Sequence, residues 1–212
     1  MSKGDATRRA VVARAMSVAR STGLAGLTIG RLSDEMSLSK SGLFAHFGSK
    51  ESLQVAVVEE AQRQFVEQVV SPALESRRGE PRVRALFEKW LAWGRQDGGC
   101  PFVGMATELD DQQGPAREAL ASAERDWQDA LAQAARIAIE EKHFASALDP
   151  RQFAFEMLGI MLSFHLMHRL LGDSNAEKRA RAAFEALLSR NRGDARPSAP
   201  PRRAGKRTST SS

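Results

Sequence analysis

Apolar residues recur along this chain at the spacing of an amphipathic helix, three or four positions apart, and hardly anywhere at every second position. There is no tyrosine, and no stretch sustains an alternation of β-branched and polar residues. The pattern predicts an all-α chain of about nine helices. The first spans roughly Ala6 to Ser21, with Ala10, Val11, Ala15 and Val18 on one face, and Gly23 closes it as a C-cap. Thr28 reads as the N-cap of a second helix, Ile29 to Glu35 or Met36. Ser37 and Leu38 form a short turn, Ser39 caps a third helix, and Gly48 ends it. Ser49 caps a fourth, whose first turn carries Glu51 at the positive end of the macrodipole. That helix is long and runs toward Leu74, with a break expected near Pro72.

Two short helices joined by a tight turn describe a helix-turn-helix unit. Neither is stable alone, since isolated helices below about 12–15 residues are marginal in water. Leu27, Ile29, Leu32, Leu38, Leu43, Phe47 and Leu53 are the expected small core, closed by Val11 and Val18 from the first helix. Gly42 stands out inside the third helix, where glycine costs about 1 kcal/mol relative to alanine. The stretch SKSGLFAHFGSKESL therefore leans on its neighbours, and a position without a side chain permits close approach by something else.

Beyond Gly79 the pattern changes to longer helices. Pro81 suits the first turn of a fifth, which reaches about Gln96 and carries Leu86, Trp90 and Trp93. DGGCPF is a loop, followed by a short sixth helix and the break DDQQGP. A seventh runs from about Ala116 to Lys142, an eighth from Asp149-Pro150 to Leu171, and a ninth from Asn175 to about Arg190. The eighth is apolar nearly all round, so it needs cover on two sides. One cover is the chain's own core and the other is a second copy. Leu158, Leu162 and Leu166, with Ala183 and Leu187 of the ninth helix, are the candidate interface of a homodimer.

Charge divides the chain into the same parts. Residues 1–50 carry 8 Lys/Arg against 3 Asp/Glu, residues 51–190 carry 17 against 22, and residues 191–212 carry 6 against 1. A basic head on an acidic body points the head toward a polyanion. The expected organisation is a helix-turn-helix domain over 1–50, a larger helical domain over 51–190 and a basic tail over 191–212. That tail has almost no bulky apolar residue and is expected to stay disordered. The single cysteine, Cys100, excludes an internal disulfide framework and fits a reducing cytosol. The N-terminus lacks a secretory h-region, and Glu156, His165, His168 and Arg169 interrupt the most apolar run, Phe153 to Leu171. A cytoplasmic protein is expected, without a membrane partner.

The segment LTIGRLSDEMSLSKSGLFAHFGSKESL closely resembles the DNA-binding domain of the TetR family of bacterial transcriptional regulators, over about Thr7 to Glu59. GCPFVGMATELDDQQGPAREAL is similar, more diffusely, to one branch of the family's C-terminal domains. The resemblance implies three helices for DNA, a linking fourth, and five for ligand binding and dimerisation. Carried over residue by residue, it implies that Lys40 and Ser41 face base edges in the major groove and that Thr28, His46 and Lys50 reach phosphates. Ser39 serves either purpose. The family often has tyrosine where this chain has Phe44, a hydroxyl side chain at Gly42, and an aromatic or histidine at Ala45. Those departures reduce the direct contacts that carry over. The implied partners are a double-stranded DNA operator, a second copy of the chain and a small, apolar effector. No cofactor or metal is implied. Repression, with release by the effector, is the expected direction.

Trp90, Trp93, Phe102, Met105, Trp127, Phe155, Met161 and His165 are the candidate pocket residues, because they lie on helices five to eight. Aromatics and methionines at helical spacing are as readily plain core. Cys100 reads as structural rather than redox-active, since no basic residue adjoins it. His143, His165 and His168 lack the carboxylate or cysteine set of a metal site. An enzyme is disfavoured: GLFAHFGSKES has five residues between its glycines and Ser49 before Lys50, which is not a P-loop, and no G-x-S-x-G or H-E-x-x-H occurs. A DNA-architectural protein is the remaining alternative, favoured by the tail and opposed by the long acidic body.

Overall fold

The computed structural model describes residues 3–193, and the basic tail from residue 194 onward lies outside the described residues. Among those residues there is no strand, only one isolated bridge between Phe144 and Arg192. Helix α1 (Lys3–Thr22) is followed by α2 (Ile29–Met36) and α3 (Lys40–Phe47). Helix α4 (Lys50–Phe65) continues through a π-helical turn (Val66–Val70) into a last α-helical turn (Ser71–Leu74). Then come α5 (Glu80–Gly94), α6 (Pro101–Leu109), α7 (Pro115–Glu140), α8 (Pro150–Arg169) and α9 (Ala176–Asn191). With the α4 rod taken as one element, the described residues form the nine helices expected.

The caps fall where the sequence puts them. The hydroxyls of Thr28, Ser39 and Ser49 accept from the N–H groups of Arg31 (3.1 Å), Gly42 (3.0 Å) and Ser52 (3.0 Å). Ser37, at φ 53°, makes the turn between α2 and α3, and Gly48, at φ 71°, ends α3. Proline opens each of α5, α6, α7 and α8 in its first turn, where its missing N–H costs nothing.

The break expected near Pro72 lies one turn earlier. In regular α geometry the Pro72 ring would clash with the carbonyl of Gln68. The chain opens instead, and Ser71 N–H donates to the carbonyl of Val66, five residues back. The C-terminal limit also moves: Arg192 pairs with Glu80 at 2.7 Å and Gly193 N–H donates to His143 O, so the body includes residues assigned to the tail.

One apolar core runs from the head into the body along α4. Val11, Val18, Leu27, Leu32, Leu43, Phe47 and Leu53 are buried at the head end, with Ile29 and Leu38 half-buried against them. Val57, Val58, Ala61 and Phe65 carry the core onward. In the body α7 packs on α4 and α8, and α8 packs on α9. Helix α9 also reaches α5: Phe184 stacks on Phe87 at 3.9 Å between centroids, flanked by Arg84–Glu185, Arg181–Glu88 and Arg95–Glu177 pairs.

Candidate nucleic-acid interface and ligand cavity

Helix α3 has two faces. Leu43 and Phe47 are buried in the head core, and Arg8 lies over the Phe47 ring at 5.2 Å. Lys40, Ser41, Gly42, Phe44 and Ala45 are exposed on the other side, Phe44 by 54%. Ser39 and Thr28 are exposed and engaged as caps. His46 is half-buried beside Phe47, and Lys50 is exposed at the start of α4. A Cβ added at Gly42 would meet only the Ser39 hydroxyl, at 2.9 Å, so the glycine also keeps the cap uncrowded. Thr28, Ser39 and Ser49 stand at the N-termini of α2, α3 and α4, whose free N–H groups suit anions.

Two nearby arginines are committed elsewhere. Arg14 and Arg31 hold Glu35 at 2.7 and 2.9 Å, and those hydrogen bonds lower the Glu35 pKa below the usual carboxylate range. The head therefore presents Lys40 on the exposed side of α3, while Arg14 and Arg31 tie α1 to α2 through Glu35.

A cavity of about 160 Å³ lies in the body. Gln62, Phe65, Val66 and Val70 of the α4 rod form one wall, and Cys100, Phe102 and Val103 form another. Trp90, Ala123, Glu124, Asp126, Trp127, Ala130, Leu158 and Leu162 complete it. Phe65 is its hub: Trp93, Phe102 and Trp127 meet that ring edge-on at centroid distances of 5.7, 5.6 and 4.9 Å. Burial pushes the Glu124 carboxyl up and the Cys100 thiol up to about 11, so Cys100 stays protonated and unreactive at neutral pH. The Trp127 indole N–H is buried without a partner.

Of the expected pocket residues, Trp90, Phe102 and Trp127 line this cavity. Trp93, Met105 and Met161 are buried in the surrounding core, outside the lining. Phe155 points away from it and is 72% exposed. His165 is half-buried outside the lining, its pKa lowered by burial and by Arg169 and His168. His143 accepts from Glu80 N–H at 3.2 Å and so caps α5. Among the described residues no three His, Cys, Asp or Glu are grouped to hold a metal. Among the lining residues that sequence reasoning missed are Phe65, Gln62 and Glu124. For Phe65 the available signal was the apolar stripe Val58, Ala61, Phe65 running past the head at helical spacing; Gln62 and Glu124 carry no such mark.

Of the interface candidates, Leu162 and Leu166 are exposed by 44% and 47%, and Ala183 is exposed. Leu158 is half-buried at the cavity, and Leu187 is buried beneath a groove between α8 and α9.

Head and body are joined at two further points. The Glu108 carboxylate of α6 accepts from Leu24 N–H (3.1 Å) and Ala25 N–H (2.7 Å) in the turn after α1. Arg20 of α1 donates to the Gly99 carbonyl at 3.2 Å, and its guanidinium covers the Trp93 ring at 4.2 Å. Gly23, at φ 73°, makes room for this arrangement: a Cβ there would lie 1.9 Å from a Glu108 oxygen.

Comparison with known proteins places this architecture. A family model described as bacterial regulatory proteins, tetR family, matches residues 11–57, and a tetracyclin repressor-like C-terminal domain model matches residues 79–184. No curated protein matches the chain. Among solved structures, a TetR transcriptional regulator from Chloroflexus aurantiacus is 23% identical, with a TM-score of 0.79 over 89% of this chain and 96% of that one. A TetR-family regulator from Cytophaga hutchinsonii is 21% identical, with a TM-score of 0.80 over 91% and 98%. AibR, solved with isovaleryl coenzyme A and operator DNA, is 22% identical, with a TM-score of 0.70 over 85% and 97%. Among the described residues no helix is long and apolar enough to cross a membrane. The two family models, over a head and a body built as described, show that the chain belongs to the TetR family of DNA-binding transcription regulators, which are not enzymes.

Proposed function

We propose that the protein is a homodimeric repressor that holds a palindromic operator with two copies of α3 and releases it when a small molecule fills the cavity. One observation carries this reading: two of the helices that wall the cavity, α4 and α6, also hold the head. The α4 rod supplies Phe65 to the cavity and begins at Lys50 under α3. Helix α6 supplies Phe102 and Val103 to the cavity and Glu108 to the turn after α1. A molecule that prefers a wider cavity shifts both helices, and the head shifts with them. Release then follows from unequal binding to two conformations.

On DNA, Lys40 and Ser41 face base edges, and Gly42 lets the helix approach closely. Thr28, Ser39, His46 and Lys50 face phosphates, with Phe44 making apolar contact where a hydroxyl is absent. The dimer is supported by the outer side of α8 and the residues just after it, where Phe155, Leu166, Met167, Leu170 and Leu171 are exposed. Ala182, Ala183 and Ala186 of α9 are exposed as well and small enough for close helix approach. A two-fold pair presents two α3 helices to half-sites about 34–36 Å apart. AibR was solved in complex with both isovaleryl coenzyme A and operator DNA. No basic side chain lines the cavity here, so coenzyme A phosphates inside it would have no cationic partner.

The test is a titration of small molecules into the protein bound to its selected duplex, following DNA by anisotropy and Trp90 and Trp127 by fluorescence. A compound that changes the tryptophan signal and releases DNA supports the reading. Compounds that fill the cavity and leave DNA affinity unchanged contradict it.

A further inference from the structure

We propose that the cavity takes a small apolar cation, an ammonium group on a body of about one aromatic ring, with Glu124 as its counter-charge. This rests on the cavity being the effector site and narrows that site to one chemical class.

The walls set the charge. Phe65, Trp90, Phe102 and Trp127 present aromatic surface, and the only ionisable side chains among the lining residues are Glu124, Asp126 and Cys100. No lysine, arginine or histidine lines it. Asp126 already accepts from the Gln62 side chain at 3.1 Å. Glu124 makes no hydrogen bond or ion pair among the described residues, and burial alone displaces its pKa, upward. Glu124 is half-buried, and a carboxylate left without a partner beside aromatic walls costs free energy that a cation recovers. The same cation gains from the indole and phenyl faces, because an aromatic ring is negative on its face. An anionic ligand would meet two carboxyl groups and no donor cation.

The second observation is Trp127. Its residue is 7% exposed, it lines the cavity, and its indole N–H is buried with no acceptor. A ligand carrying a hydroxyl or ether oxygen beside its amine would satisfy that donor. Size follows from the volume. Cavities of about 150 Å³ hold a benzene ring, and this one measures about 160 Å³. A ring with a short aminoalkyl arm fits, with the arm directed to Glu124.

The experiment compares three probes of one shape: 2-phenylethylammonium, 2-phenylethanol and 3-phenylpropionate. Each is titrated into the full-length protein at about pH 7.5 by calorimetry, with tryptophan fluorescence as a second signal. The ammonium compound is expected to bind about tenfold more tightly than the alcohol, and the carboxylate more weakly than either. Glu124→Gln is expected to reduce the preference for the cation over the alcohol to less than about twofold, and its thermal melt shows that it is folded. Trp127→Phe provides a second variant that keeps Glu124, and it should retain the cation preference. Equal or tighter binding of the alcohol or the carboxylate overturns the proposal. So does no binding of any probe to folded protein, or a preference that survives Glu124→Gln. The same probes added to the DNA complex separate this from the release mechanism. Cation binding without release contradicts the release mechanism and leaves the ligand class standing. Release by a neutral or anionic compound that fills the cavity does the reverse.

Discussion

Glu108 holds Ala25: its carboxylate accepts the Ala25 N–H at 2.7 Å, across 83 residues of sequence, and takes the Leu24 N–H as well. Helix α6 thereby touches the cavity with its first turn and the DNA-binding head with its last. Replacing Glu108 with alanine leaves two main-chain donors without that acceptor. The Ala25 donor lies near solvent and the Leu24 donor is part-buried, so the expected loss of stability is about 1–2 kcal/mol. The larger effect falls on coupling: DNA affinity without ligand changes little, while the ligand concentration needed for release shifts severalfold. Urea melts and release titrations on the same variant check both parts. A Glu108→Ala protein whose release curve matches the parent shows that α6 does not transmit the signal through this contact.

Two glycines on the same route should respond with opposite signs. Gly23→Ala puts a Cβ at φ 73° and onto the Glu108 carboxylate, so it destabilises by at least about 1 kcal/mol. Gly104→Ala, within α6 and open to solvent, meets nothing within 4 Å and stabilises by about 0.5–1 kcal/mol through helix propensity. Thermal melts of the pair provide the comparison.

Lys50→Ala removes one exposed charge at a helix N-terminus without touching the head core. Binding to every duplex should weaken alike, and the slope of log affinity against log salt should fall by about 1 per protomer. Lys40→Ala with Ser41→Ala should instead erase the difference between selected and random duplexes. An unchanged slope in the first variant, or retained selectivity in the second, contradicts the roles proposed for these residues.

Leu166→Glu places a charge on the exposed side of α8, where leucine is 47% exposed in the single chain. The monomer loses little by it, whereas a dimer seam along α8 would bury the charge. Sedimentation should show a folded monomer, and operator affinity should drop by orders of magnitude. A Leu166→Glu dimer would place the seam elsewhere.

Glu124 also predicts a pH dependence. Its folded-state pKa is raised by burial, with Asp126 and the Cys100 thiol the other ionisable groups of the cavity wall. A raised carboxyl pKa means that the folded state holds the proton more tightly. Its contribution is most favourable below the ordinary glutamate pKa, about 4.3, and is lost as pH rises through the folded value. Glu124→Gln should therefore raise Tm relative to the parent at neutral pH, with the gap closing toward about pH 4. A constant gap contradicts the assignment.

The head was legible because its signals are local. Thr28, Ser39 and Ser49 each cap the helix that follows within three residues, and Gly48 supplies the left-handed exit. The body was legible as helices and not as a site. Trp90 and Phe155 both sit on apolar helical faces, yet one lines the cavity and the other is 72% exposed. Periodicity fixes which residues share a face; it does not say what that face meets. The sequence pattern places Phe65 in a linking helix, although three aromatic rings converge on it. Glu108 and Arg20 act through partners about 80 residues away, so their spacing carries no local mark.

Selection of random duplexes by the purified protein at low salt tests the central claim most directly. The account predicts one enriched palindrome with half-sites about one helical turn apart, bound by a dimer and lost when Lys40 and Ser41 are both replaced by alanine. Recovery of no enriched sequence, or of one that the Lys40→Ala, Ser41→Ala protein binds equally well, would contradict it.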